Sequence, residues 1–432
     1  MSCMRSPREI AKVVCVAKLA GLLFLIMMFA VCGETYRPVA NPITPNQPNP
    51  SFAHVAIVLS GNGNNNSGAS TTIDVSGDTA ASQATVGLQP AHATLALGAT
   101  RVYVANSGDD TVSEFSPSVP IPVVTVSLPA GSAPAFVATT ESANTYVANL
   151  GNNTVSVISN NATVLTATIP VGVQPIAMAE MPNGQKLYVA NRGNNGSGGS
   201  VTSINSIDKS INPPIANAAW VSPVWVVARS DNQRVYVLDQ GSGQVSAIDT
   251  YSDTVVGTAT VGAGADYMIY DSKRNRIYVI NPAAGTLTSL EAATDTLTPT
   301  TPNPVPIANP VAVAALPDGS RVYVSTATAS GANVTSRVTV LNAVGLSVRT
   351  TIPLQTVPAD CATQTWSRLS IAAAADSSKV YVGNCDAGNT AIIETSSDSV
   401  VVELPAPLSA KPPQQPGGTP PPQNPVFVLT GP

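Results

Sequence analysis

Seven times along this chain of 432 residues a short strand centred on tyrosine returns: "RVYVAN" at Tyr103, "TYVANL" at Tyr146, "KLYVAN" at Tyr188, "RVYVLD" at Tyr236, "RIYVIN" at Tyr278, "RVYVST" at Tyr323 and "KVYVGN" at Tyr381. The spacings are 43, 42, 48, 42, 45 and 58 residues. A period mostly in the forties, built from short strands, predicts an all-β chain in which each repeat is one four-stranded antiparallel blade of a β-propeller. Near-continuous apolar runs in the inner strands suit sheets covered on both faces by their neighbours, which disfavours a helical reading. An eighth, degenerate copy stands earlier, in "HVAIVLS" from His54 to Ser60.

Within each unit a tight turn such as "PNGQ" (182–185) or "PDGS" (317–320) leads into the tyrosine strand. Proline there presets φ and glycine accepts positive φ. An Asn/Gly loop then leads to a third strand such as "TVSVIS" (154–159), and a fourth such as "TATIPV" (166–171) completes the blade. A first strand precedes every tyrosine strand, for example "SAPAFVATT" and "NPVAVAALP", but none precedes the early copy at His54. Its counterpart is "NPVFVLTGP" at the other end of the chain (424–432). The C-terminal strand is therefore expected to complete the blade begun at the N-terminus, closing the ring and removing exposed sheet edges. The count is eight blades, or seven if the degenerate copy is a partial blade. The proline-rich stretch 406–423 reads as a stiff connector to the closing strand.

"YVAN" followed by "TVSVI" resembles the YVTN-family β-propeller repeat of bacterial and archaeal surface proteins, and the similarity covers residues 52–432. The resemblance implies an extracytoplasmic propeller and leaves the function open, because fold does not fix function.

Two features at the N-terminus agree with export. Arg5, Arg8, Lys12 and Lys18 form a basic region ahead of the apolar stretch 19–31, which is short for a bilayer span, so residues 1–31 read as a signal peptide. The apolar run ends at Cys32 in "MMFAVCGETY", which resembles the lipobox of bacterial lipoproteins, although Val31 and Phe29 depart from the usual pattern. Cys32 is thus a candidate lipidation site, residues 32–51 a tether, and the cell envelope, with the outer membrane favoured, the expected address; ordinary cleavage followed by release is the alternative. After the signal and an acylated Cys32, Cys361 and Cys385 remain as a candidate disulfide, with two buried free thiols as the alternative.

Composition narrows the function. Charged residues are 10% of the chain, against roughly 25% in ordinary soluble domains. A net charge of −5 without a basic cluster in the body gives no footprint for nucleic acid. With two histidines, His54 and His92, and no CxxC pair, zinc, copper and haem sites find no ligand set, and no cofactor is expected. The inner strands line the channel of a propeller, and their chemistry-bearing residues are His92, Glu141, Glu180, Arg229, Asp266, Asp271 and Arg368, scattered at differing offsets. No acid-base pair is demonstrated among them, and strand-end solvation accounts for each.

Three connections between second and third strands are long: 60–70, 191–200 and 325–337. In an up-and-down blade they share one rim, where repeat proteins often bind partners, or they are tolerated length variation. The expectation is a monomeric envelope propeller acting as a binding or scaffold module for a protein or glycan. The competing readings are a metal-dependent lactonase-like hydrolase or lyase with its site in the channel, and a structural subunit of a surface coat.

Overall fold

A computed structural model describes residues 55–61, 67–96, 100–118, 123–139, 144–194, 197–215, 220–293, 297–359, 361, 368–407 and 423–431. The signal region 1–31, Cys32, the tether 32–51, His54, Glu141 and most of the 406–423 connector lie outside the described residues.

Every regular element among the described residues is a strand, and the strands form eight antiparallel sheets. Blades 1 to 7 run through residues 90–127, 134–170, 175–205, 223–260, 267–306, 310–358 and 369–405. Blade 8 takes its three outer strands from residues 55–88 and its inner strand from Asn424–Thr430. Inner strands of successive blades touch all the way round, blade 8 returning to blade 1, so the molecule is an eight-bladed β-propeller. The joint in blade 8 is the closure read from the sequence. Gly61 pairs with Asn424 and Ala56 with Thr430, so Val55–Gly61 is paired on both sides.

Two blades depart from four plain strands. Among the described residues blade 3 has three, ending with Ser200–Asn205, followed by an isolated Ile204–Ile211 bridge. Pro213 and Pro214 stand just beyond that bridge and lack the N–H that a ladder requires. In blade 5 the outer strand is split into Thr298–Pro299 and Val305–Pro306, both paired to Thr286–Glu291.

The repeated motif has a physical reason at each letter. The asparagine closing "YVAN" is buried, and its side-chain amide spans to the next strand. Asn149 Nδ2 donates to Thr154 Oγ1 and Ser156 Oγ, both at 2.8 Å, and Asn106 Nδ2 reaches Thr111 and Ser113 at 3.0 Å. The turn between these strands ends on Asn153 at φ 61°, in the left-handed region that asparagine tolerates.

All seven repeat tyrosines are fully buried. Several use their hydroxyls to tie one blade to the turn between third and fourth strands of the next: Tyr146 to Ser206 O at 3.2 Å, Tyr236 to Ala292 O at 3.0 Å, and Tyr323 to Asp398 Oδ1 at 2.6 Å. The basic residue two places earlier often reaches the same turn. Lys186 pairs with Asp253 at 2.8 Å, Arg321 with Asp398 at 2.7 Å, and Lys379 with Asp78.

The ring has two unlike faces. Turns after first and third strands form the lower face, while second-to-third connections and the links between blades form the upper one. Asp110, in the upper turn of blade 1, accepts the N–H groups of Gly131 and Ala133 in the link to blade 2, each at 2.7 Å. The first strand of the propeller, Val55–Gly61, begins at the lower face and ends at the upper.

The three long connections therefore lie on the upper face. Residues 62–66 of the first are outside the described set, and the second carries an Asn194–Ser197 bridge. The third is not a loop. Strands Arg321–Ser330 and Asn333–Asn342 stay paired as far as Ser330↔Asn333, and Val348–Pro358 follows them to Asn333↔Pro358. Val334, Ser336 and Val338 are buried while their neighbours are not, the period-two pattern of a strand, and Gly331 takes the tight turn at φ 61°.

Candidate functional site: the central channel

The eight inner strands surround a cavity of about 760 Å³. In seven of the eight inner strands the residues that reach it include the one opposite the alanine of "YVAN" or its equivalent. In five blades that residue carries a ring. Phe427, His92, Phe136, Trp225 and Tyr267 pair with Leu59, Ala105, Ala148, Leu238 and Ile280 respectively. In blades 6 and 7 it is small, Ala312 and Ser370, and in blade 3 the register residue Ala177 is buried while Ile176 reaches the cavity.

The rings form a continuous arc. His92 stacks on Phe136 with centroids 3.8 Å apart and planes at 22°, and it tilts against Phe427 at 4.4 Å. Phe136, from blade 2, meets the edge of Trp225, from blade 4, at 5.6 Å. Trp225 lies 4.6 Å from Tyr267. Offset and edge-on ring contacts of this kind add about 0.5–1.5 kcal/mol each beyond their buried area. The channel thus has an aromatic wall facing one of small side chains. The sequence carries this arc at a single register position, and a search of the inner strands for acids and histidines passes over it.

Of the seven chemistry-bearing residues named from the sequence, three reach the cavity: His92, Asp266 and Arg368. His92 is enclosed by rings, and its Nδ1 accepts the Val137 N–H at 3.5 Å. Loss of water pushes its pKa down to about 3, so the ring is neutral at physiological pH. Asp266 is exposed at the edge of the cavity, and partial desolvation by the protein around it raises its pKa to about 6 with only its own N–H in opposition. Arg368 Nε pairs at 2.9 Å with the fully buried Asp386 carboxylate, so its charge is balanced.

The other three described residues, Arg229, Asp271 and Glu180, serve the scaffold. Arg229 is buried in blade 4, where it donates to Ala292 O at 2.8 Å and pairs with Asp231 at 2.9 Å. Asp271 accepts the N–H groups of Lys273 and Arg274 at 2.9 and 3.1 Å, closing a lower-face turn. Glu180 is likewise buried at the end of its strand, away from the cavity. Arg192 and Gln240, which the inner-strand search does not include, also line the cavity, each directly after the second strand of its blade. They stand at the upper mouth with Asp266.

Cys361 and Cys385 are joined on the upper face, their Cα atoms 6.1 Å apart. The bond fastens the approach to blade 7's inner strand to that blade's upper turn. Cys361 N also donates to Asp386 Oδ1 at 2.9 Å, so the disulfide and the Arg368 ion pair share one carboxylate. Among the described residues no group of three His, Cys, Asp or Glu side chains is placed to hold a metal ion. What the channel offers chemically is an apolar, ring-lined surface with a few polar groups at one mouth.

Fold and channel together define a ring-closed β-propeller repeat protein. No protein-family model matches the chain, and no curated protein matches it in sequence. Among solved structures it is similar to dihydro-heme d1 dehydrogenase NirN in complex with DHE, at TM-score 0.62 and 11% identity over 88% of this chain and 77% of that one. It is also similar to apo AztD from Citrobacter koseri, at TM-score 0.58 and 10% identity over 88% and 98%. A putative 6-phosphogluconolactonase from Bacteroides fragilis aligns at TM-score 0.53 and 14% identity over 89% and 99%. At such identities the likeness is one of fold alone.

Proposed function

We propose that this chain is an exported envelope propeller of the YVTN repeat type, working as a binding scaffold for a protein or glycan through its upper face. One observation carries the reading: the paired hairpin of blade 6 extends on the same face as the other two long connections, while the second-to-third turns of the other blades are short. Loops and projections on a rigid scaffold are where repeat proteins place recognition. The lactonase-like alternative needs clustered carboxylates and amides around an ion, and Asp266 is the one carboxylate lining the described channel; metal analysis of purified protein tests it.

The test of the scaffold reading is affinity capture from envelope extracts and on glycan arrays. It compares the wild-type chain with a variant in which residues 328–335 are replaced by a two-residue Asn-Gly turn. A partner bound by the first and lost from the second supports the reading. Equal capture by both, or none by either, opposes it.

A further inference from the structure

Three polar groups at the upper mouth come from consecutive blades 3, 4 and 5 and have unused bonding capacity. The Arg192 guanidinium donates through Nε and Nη2 to Gln174 Oε1 at 3.2 and 2.8 Å, a neutral acceptor, and faces no acid. The Gln240 carboxamide has no hydrogen bond to the described chain. The Asp266 carboxylate has neither an ion pair nor a hydrogen bond from another side chain, and its raised pKa reflects desolvation that no cation offsets. The third charged group at this mouth, Arg368, is already neutralised by Asp386. Beneath the three lie Trp225 and Tyr267, from blades 4 and 5, on the aromatic wall.

We propose that the channel is a binding site for a zwitterion with an aromatic or large apolar body, of the amino-acid and short-peptide class. Its ammonium is held by Asp266, its carboxylate by Arg192 with Gln240 between them, and its body lies against Trp225 and Tyr267. Each part of the ligand answers a feature that the scaffold itself does not use. A carboxylate and a guanidinium left apart at one mouth recognise opposite charges at once, which neither a simple amine nor a simple acid supplies. A cation brought to Asp266 also gains from the ring faces beside it. The cavity volume is within the range of about 300–1,000 Å³ typical of small-molecule sites. The site shares no residue with the blade 6 hairpin, so binding at either can stand without the other.

The experiment is titration calorimetry of the full chain with three indole probes: L-tryptophan, tryptamine, which lacks the carboxylate, and indole-3-propionate, which lacks the ammonium. L-Tryptophan is expected to bind most tightly. Asp266→Asn should weaken L-tryptophan and tryptamine by about tenfold or more and spare indole-3-propionate, while Arg192→Gln should weaken L-tryptophan and indole-3-propionate and spare tryptamine. A single cooperative melting transition checks that both variants fold. No saturable L-tryptophan binding up to roughly 10 mM, or equal loss of all three probes in both variants, would overturn the assignment. The variant trimmed at residues 328–335 keeps probe binding on this account, which separates a failure of the channel site from a failure of the rim.

Discussion

The hydroxyl of Tyr188 donates to Asp253 Oδ1 at 2.5 Å across the boundary between blades 3 and 4. Asp253 also receives Lys186 Nζ at 2.8 Å, so one aspartate in a lower turn gathers both polar groups of the neighbouring "KLY". Removing the hydroxyl leaves a buried carboxylate short of a donor, and Tyr188→Phe is expected to cost about 1.5–3 kcal/mol. In Tyr381 the hydroxyl is buried without a hydrogen-bond partner. Tyr381→Phe should therefore change stability by less than about 0.5 kcal/mol. Denaturant midpoints of the two variants check the contrast; equal losses would show that packing, and not the inter-blade bond, explains the tyrosine.

Two channel residues oppose each other in pH dependence. Histidine in an unfolded chain titrates near 6.5, whereas folded His92 stays neutral down to about 3. Between those values the unfolded state takes up a proton that the folded state refuses, so this residue makes stability fall as pH falls. Asp266 does the reverse. Its folded pKa of about 6 against an ordinary 3.8 means the folded state holds a proton longer, so its contribution falls as pH rises from about 4 to about 6. His92→Phe should recover roughly 1–2 kcal/mol of stability, relative to wild type, on acidification from pH 6.5 to 5. Asp266→Asn should steepen the wild-type loss over the same range. Thermal melts from pH 4 to 7 decide it, and parallel curves for all three proteins would contradict both assignments.

The Cys361–Cys385 bond closes a segment with a sequence separation of 24. On the chain-entropy model such a closure contributes ~3 kcal/mol. Replacing both cysteines by alanine should lower stability by that order, and a reducing agent should lower the wild type similarly while leaving the double variant unmoved.

Architecture was largely legible because it is repeated. Seven tyrosine strands at nearly even spacing, and the imitation of "NPVAVAALP" by "NPVFVLTGP", determine the ring and its closing strand through periodicity alone. What repetition cannot carry is what differs between blades. The strand beyond Asn205 is lost because Pro213 and Pro214 follow, and the stretch 325–337 reads as a loop by its Ser, Thr and Ala content although its alternation builds a hairpin. The aromatic arc escapes for another reason. His92, Phe136 and Trp225 are 44 and 89 residues apart in pairs, and only the register against "YVAN" brings them to one wall.

The central claim is that the upper face is the working face. A photoreactive residue placed at Thr328, exposed on the blade 6 hairpin, can be compared in living cells with one at Tyr251, which is 97% exposed on the lower face. The account predicts a discrete crosslinked adduct from position 328 and none from position 251. An adduct from position 251 alone, or none from either, would contradict it.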